Sequence, residues 1–395
     1  MKNQHVIVAG AGIGGLAAAL ALARAGQRVT VLERSAEFAP IGAGIQLGPN
    51  AMKVLASWGL QDALLAHACL PQAIAVHHAS TGRSISRILL GSAVQQRYGQ
   101  VYATVHRAHL HAVLLAAVQA QPSVQVLCGV PVQGVQTFPN STVQVSTPEH
   151  TYTADALVAA DGVWSSVRPL VFADGAPRAT GHAAYRTLLP IADVPHAWRS
   201  GVGVWWARDV HVVHYPVHSG QQLNLVVLSQ ASAAQATASW AQSTSHAQVM
   251  SQLPQVCPDL KALLNLAQAN TQGGADPWNS WHLYDRPAAS SWVQGHVALL
   301  GDAAHPMLPY LAQGAAMALE DAAALGRQVA LNTDWPTALK TYQQIRKVRA
   351  ERVVATARRN GRIFHLPAPW SIARDAVLAY QGTEVLGMTW LYGGP

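Results

Sequence analysis

Apolar residues recur along this chain with two periods, and the switches between them outline the elements. His5 to Ala9 (HVIVA) is a short apolar run that ends in glycines, which predicts a buried parallel strand. Gly14 to Ala25 is Ala/Leu-rich and predicts a helix closed by Gly26. Gln27 to Glu33 (QRVTVLE) is β-branched and predicts a second strand, completing a βαβ unit of about 30 residues. The glycine-punctuated loop IGAGIQLGPN leads into a predicted helix from about Ala51 to Trp58, and RAHLHAVLLAAVQAQ at 107–121 predicts an amphipathic helix. SVQVLCGVPVQGV and STVQVST predict strands, and Tyr152 to Ala160 predicts one strand running into Asp161-Gly162.

After about residue 170 the pattern changes. GVGVWWA (201–207), VHVVHYPV (210–217) and QLNLVVL (222–228) predict three antiparallel strands joined by short polar turns. From Gln294 the α/β style returns: the strand HVALL, then Gly301-Asp302, a helix from about Gln313 to Leu331, and a long helix from about Pro336 to Gly361. No internal repeat is visible. The expected fold is α/β: a Rossmann-like domain with an inserted antiparallel-sheet domain and C-terminal helices. The first part of the nucleotide-binding domain is expected at 1–170, with interleaved strands of the insert at about 70–105. The insert itself is expected at 171–290, the second part at 291–330 and the C-terminal helices at 331–395.

Composition agrees with a core-rich chain: half of the 395 residues are apolar and 11% are charged. Cys69, Cys128 and Cys257 form no CxxC and no metal-ligand spacing, so reduced thiols in a cytoplasmic protein are expected. Lys2 and the Ala-rich run after it imitate a signal peptide. Gly10, Gly12, Gly14 and Gly15 break that run, and no stretch is apolar enough to span a bilayer. The net charge is +7, and Lys340 to Arg362 holds eight basic residues against Glu351 alone. Two readings stand for that segment: a solvated helix face, or a positive field for anionic small molecules. No aromatic-interleaved basic motif accompanies it, which argues against nucleic acid.

The chemistry is concentrated in three motifs. Gly10-x-Gly12-x-x-Gly15 lies between strand and helix. There the glycines permit a tight turn, the approach of a pyrophosphate and close helix packing. Glu33, at the end of the second strand, is placed to accept ribose hydroxyls, which points to FAD or NAD; Arg34 after it is compatible with FAD. The second motif, Asp161-Gly162-x-x-Ser165-x-x-Arg168, reads either as a ligand loop or as a plain strand-to-helix turn. In the third, Asp302 follows an apolar strand, where it can hold a polyol hydroxyl. The helix start at Gln313-Gly314-Ala315 aims N–H groups at an anion, which suits reduced flavin. His305 reads as a base or as a packing residue.

Together these motifs resemble the single-component FAD-dependent aromatic hydroxylases, the para-hydroxybenzoate hydroxylase-like family. The resemblance covers nearly the whole chain, including IGAGIQLGPNAMKVLASWGL, VHRAHLHAVLL, DGVWSSVR, GHVALLGDAAHPMLPYLAQGAAMALEDA and YQQIRKVRAERVVATAR. It looks closest to the 3-hydroxybenzoate 6-hydroxylase, salicylate hydroxylase and 6-hydroxynicotinate 3-monooxygenase group. The resemblance implies tightly bound FAD held by Gly10, Gly12, Gly14, Gly15, Glu33, Arg34, Gln46, Arg107, Val132, Asp161, Asp302, Gly314 and Ala315. Asp161 and Arg168 would also serve the nicotinamide. It further implies NADH or NADPH as a transient co-substrate, O2 as oxidant through a flavin C4a-hydroperoxide, a small aromatic substrate, and a monomer or homodimer.

VHVVHYPV carries the remaining candidates. As a strand it places His211, Val213 and Tyr215 on one face and His214 and Pro216 on the other. As a helix it would group His211, His214 and His218 as a metal site. Its β-branched pairs and Pro216 argue for the strand, so no metal is expected. The resemblance implies that His211 and Tyr215 face the substrate and are catalytic; a structural role for the histidines stays open. Leu47 stands where the hydroxynicotinate enzymes carry histidine, and Pro309 where some 3-hydroxybenzoate 6-hydroxylases carry glutamine. Both are expected to touch substrate. The leading expectation is hydroxylation of a small phenolic acid of the 3-hydroxybenzoate type. Decarboxylative hydroxylation of salicylate and a non-catalytic binding protein on the same fold are the alternatives.

Overall fold

The computed structural model describes residues 1, 3–38, 44–138, 142–231, 242–270, 276–381 and 388–394. Residues 41–43 of the glycine-punctuated loop lie outside them. The strands His5–Ala9, Arg28–Glu33, Val124–Cys128, Ala156–Ala159 and Val297–Leu299 form a parallel sheet with a short antiparallel edge strand, Val293–Gln294. Val6, Ile7 and Val8 are fully buried, as an uninterrupted apolar strand between helical layers requires. The helices Ile13–Arg24 and Gly314–Leu331 pack together at Gly326, where a Cβ would stand 2.9 Å from the Ala21 Cβ.

The run from Tyr152 to Ala160 is two strands, not one. Thr151–Ala154 pairs antiparallel with Val143–Ser146 in a three-stranded sheet, while Ala156–Ala159 joins the parallel sheet beside His5–Ala9. Asp155 pins the change of partner: its carboxylate accepts the His5 N–H at 2.7 Å and its own N–H donates to the His5 carbonyl at 2.8 Å. The side chains mark the same break, since TYTA alternates toward solvent and ALVA is buried throughout.

The second large sheet has eight strands, in the order Gln242–Thr244, Trp278–Asp285, Arg178–Pro190, Gln222–Gln230, Val210–Val217, Val202–Ala207, Ala73–His78 and Ser84–Leu89. The three antiparallel strands expected after residue 200 are neighbours within it. Ala103–His106 pairs instead with Gly44–Leu47 in a separate two-stranded ribbon. One face of the eight-stranded sheet buries Tyr185, Trp205, Val212, Leu225 and Val227 against Leu260, Leu263 and Leu264 of the helix Pro258–Ala269. The opposite face turns toward the parallel sheet and its helices. The three cysteines are free, and among the described residues no helix is long and apolar enough to cross a membrane.

Candidate active site

The glycine motif forms a cradle at the carboxyl end of the parallel sheet. Gly10 has φ +94°, and a Cβ on Gly15 would fall 1.8 Å from the Gly10 carbonyl oxygen, so neither position admits a side chain. A Cβ on Gly12 would meet nothing within 4 Å; the space is open where a diphosphate would approach. Gly12 also caps the helix Ile13–Arg24 without any side-chain hydrogen bond, leaving the first N–H groups to a ligand. Glu33 is held at the strand end by the N–H groups of Ala11 (2.7 Å) and Ser35 (2.9 Å). The Val130 N–H donates to the Glu33 carbonyl, which brings the half-buried Val132 to the same side; Arg34 is exposed.

The other end of the groove is built on the turn after Val297–Leu299. Asp302 opens to solvent there, while the turn behind it is anchored: the Asp321 carboxylate takes the Gly301 N–H at 3.1 Å and meets the His305 Nε2 at 2.5 Å. Burial alone would raise the Asp321 pKa, but His305 and Arg346 hold it at about 2. His305 is therefore a hydrogen-bonding residue of the scaffold, the plainer of its two readings. Arg346 joins Asp321 (2.7 Å) to Glu320 (2.7 Å), and Arg349 adds two further bonds to Glu320. Asn50 links Glu320 to Gln313 at the start of the helix Gly314–Leu331, so the buried network fixes that helix end. Arg346 corrects the reading of the last long helix as a purely solvated face or a bare field, because it is wholly buried and paired.

The helix start is uncapped, and a Cβ on Gly314 would again meet no atom within 4 Å; Ala315 beside it is half-buried. Arg107, the first residue of the helix Arg107–Gln119, is close enough to Asp302 to feel its charge; burial lowers its pKa and Asp302 opposes that. A pair of glycine-lined openings, each at a free helix N-terminus, with carboxylates at Glu33 and Asp302, fits FAD. Asp161 and Arg168 are more inward. One Asp161 oxygen receives the Ser166 and Val167 N–H groups at the start of Val167–Phe172, and the other is buried without a partner. Arg168 is fully buried, bonded to the Ala303 and Pro287 carbonyls and paired with Asp174.

The strand Val210–Val217 places His211, Val213 and Tyr215 on the face that looks toward this groove, and register extends that face to Leu228, Val226 and Asn224. Val213 alone in the strand is not buried. It is the partly exposed position of that face, between His211 and Tyr215, whose Cα atoms lie about 13 Å apart at strand rise. The Tyr215 phenol donates to the Gly44 carbonyl at 2.7 Å, and burial pushes its pKa to about 12. Gln46 accepts from the Tyr102 phenol at 2.5 Å. The His211 Nδ1 meets the His365 Nε2 at 2.9 Å, and burial, reinforced by His365 and His182, drives the His211 pKa well below the usual histidine range. His214 lies on the opposite face against Trp205 and Trp198, so the three histidines of this segment do not converge.

Leu47 is fully buried in the core around the parallel sheet, so its side chain does not open into the groove; Gly44 and Gln46 of the same strand meet Tyr215 and Tyr102 instead. Pro309 begins the turn Pro309–Leu311, next to Tyr310, which packs 5.3 Å from the His211 ring and meets the His182 Nδ1 through its hydroxyl. Tyr310, His365, Asn224 and Arg186 of the strand Arg178–Pro190 were not apparent from sequence. A cleft of about 700 Å³ opens beside His365, lined in part by Arg178, Arg286, Arg358 and Arg362.

Comparison with known proteins agrees with this geometry. The chain matches the FAD binding domain family over residues 3–357. It is 36% identical over 393 residues to the 3-hydroxybenzoate 6-hydroxylase of Polaromonas naphthalenivorans (strain CJ2), covering 98% of this chain and 95% of that protein. It is 33% identical over 404 residues to the 3-amino-4-hydroxybenzoate 2-monooxygenase of Streptomyces cremeus, covering 99% and 95%. Among solved structures, HpxO of Klebsiella pneumoniae complexed with FAD and uric acid superposes with a TM-score of 0.84 at 27% identity, over 99% of this chain and 97% of that one. The chain belongs to the FAD binding domain family and, within it, to the FAD-dependent aromatic hydroxylases.

Proposed function

We propose that this enzyme hydroxylates a small phenolic acid of the 3-hydroxybenzoate type, using NADH or NADPH and O2, in the cytoplasm. The observation that carries this reading is one sheet face on which the partly exposed Val213 lies between His211 and Tyr215, with Tyr215 bonded to Gly44 beside the flavin groove. Relatives that act on hydroxybenzoates, at 33–36% identity, support the substrate class.

Gly10, Gly12, Gly15, Glu33 and Arg107 would hold the nucleotide part of FAD; Asp302 would take the ribityl chain, and Gly314 and Ala315 the ring. When bound there, FAD would supply the redox chemistry that carries electrons from the nicotinamide to dioxygen and one oxygen atom to the aromatic ring. The protein's own task is to orient the phenol and hold its proton. Burial keeps His211 neutral, and with Nδ1 committed to His365 its Nε2 is the nitrogen left to accept a hydroxyl proton. Withdrawal of that proton makes the ring more nucleophilic. Tyr215, already donating to Gly44, keeps its oxygen lone pairs for the substrate. The cationic cleft beside His365 suits the approach of an anionic reductant.

The test is a panel of 3-hydroxybenzoate, 4-hydroxybenzoate, salicylate and 6-hydroxynicotinate, each scored for stimulated NADH and NADPH oxidation and for product. A dihydroxybenzoate from 3-hydroxybenzoate supports the proposal. Catechol from salicylate as the only product would replace it with decarboxylative hydroxylation.

A further inference from the structure

Arg186 has no role in the account so far, yet it stands on the same sheet face as His211 and Tyr215. Its register partner is Val226, which in turn pairs with Val213, the partly exposed residue between His211 and Tyr215. By strand spacing the Cα atoms of Arg186 and His211 are about 12 Å apart, the scale of a small substituted ring with a side chain reaching to each end. The Arg186 guanidinium lies over the Trp281 ring at 4.0 Å, which fixes its plane. It makes no hydrogen bond or ion pair among the described residues, and its Nε is buried without a partner. The Asn224 Nδ2, two strand positions from Val226 on that face, is also buried without a partner, its Oδ1 being taken by the Gly44 N–H.

Two buried arginines contrast with this, Arg168 paired with Asp174 and Arg346 with Asp321 and Glu320; Arg286, whose Nε and Nη1 are also buried without a partner, lines the separate cleft beside His365. Around Arg186 the titratable groups close enough to act on it are Tyr215 and Arg107, and burial lowers its pKa to about 10, so it remains a cation at neutral pH. A half-buried guanidinium whose Nε is shut off from solvent, with no protein anion beside it, has donors that an anionic ligand would complete. The planar fork matches a carboxylate in bidentate geometry, and the apolar face beside it matches an aromatic ring.

We propose that Arg186 anchors the carboxylate of the aromatic acid, with Asn224 as a second donor, and so fixes which ring carbon is presented for hydroxylation. This rests on the reading of the groove as an aromatic-acid site. The test uses the FAD-loaded protein, with binding read from the perturbed flavin absorbance and the probes benzoate, 3-hydroxybenzoate and the neutral 3-hydroxybenzamide. Arg186→Gln should weaken both acids by about 10- to 100-fold, the range for a charged hydrogen-bonded pair, and leave the amide and FAD content unchanged. Arg186→Lys should recover part of the loss. Equal weakening of acid and amide, an unchanged acid affinity, or loss of FAD from Arg186→Gln would overturn the assignment, the last by giving Arg186 to the flavin. A wild-type protein that binds no aromatic carboxylate would also overturn it. Benzoate carries no hydroxyl, so its binding tests the anchor even if 3-hydroxybenzoate yields no product, which would refute the functional reading alone.

Discussion

The Tyr215 hydroxyl donates to the Gly44 carbonyl at 2.7 Å, joining the eight-stranded sheet to the two-stranded ribbon beside the flavin groove. The contact is tight: a Cβ on Gly44 would lie 2.5 Å from the Tyr215 ring. Tyr215→Phe keeps the ring and removes the donor, leaving a buried carbonyl unpaired, at a cost of about 1–3 kcal/mol. The expected outcome is a lower denaturation midpoint, retained FAD, and a larger share of reducing equivalents ending as hydrogen peroxide. Coupling equal to wild type with the native substrate would remove Tyr215 from the site.

Removal of His211 should act on chemistry rather than on cofactor binding. His211→Ala is expected to slow hydroxylation roughly 100-fold, the usual scale of general-base catalysis, with FAD retained. Because burial holds the ring neutral, its protonation should limit the rate only well below pH 6.5. A wild-type profile whose acid limb survives in His211→Ala would assign that limb to another group.

His214, on the far face, offers a pH test of stability. Burial, then His77, lowers its pKa from 6.5 to about 3, and both ring nitrogens lack partners. The unfolded chain therefore binds a proton that the folded chain refuses. The neutral ring's stability is fully present above pH 6.5 and is lost as pH falls toward 3, by about 1.4 kcal/mol per unit. His214→Leu should flatten the decline in denaturation midpoint over that window. An unchanged slope would contradict the buried neutral ring.

Two glycines separate folding from cofactor binding. Gly15→Ala forces a Cβ against the Gly10 carbonyl and should destabilise even the apoprotein. Gly12→Ala meets no protein atom, so the apoprotein should melt as wild type while FAD affinity falls. If Gly12→Ala binds FAD normally, the diphosphate does not pass over residue 12.

What could be read from sequence was what lies close together in it. Gly10, Gly12, Gly15 and Glu33 fall within one βαβ unit, and the period of two along Val210–Val217 separated His211 and Tyr215 from His214 correctly. Arg186, Asn224 and His365 were invisible because they reach the groove from two other strands and a helix end, through register that no local pattern encodes. The break at Asp155 was missed because its cause is a bond to His5, 150 residues earlier. Arg346 looked like one solvated cation among eight. The acidic pair Glu320-Asp321 inside an Ala-rich helix was the available signal, since buried carboxylates require partners.

The central claim is that a phenolic acid bound against the face of His211, Val213 and Tyr215 receives one atom of dioxygen. The most direct measurement is the mass of the product formed from 3-hydroxybenzoate and NADH under ¹⁸O2. A dihydroxybenzoate carrying one ¹⁸O is the predicted result. Oxidation of the nicotinamide with all oxygen recovered as peroxide and the acid unchanged would contradict it.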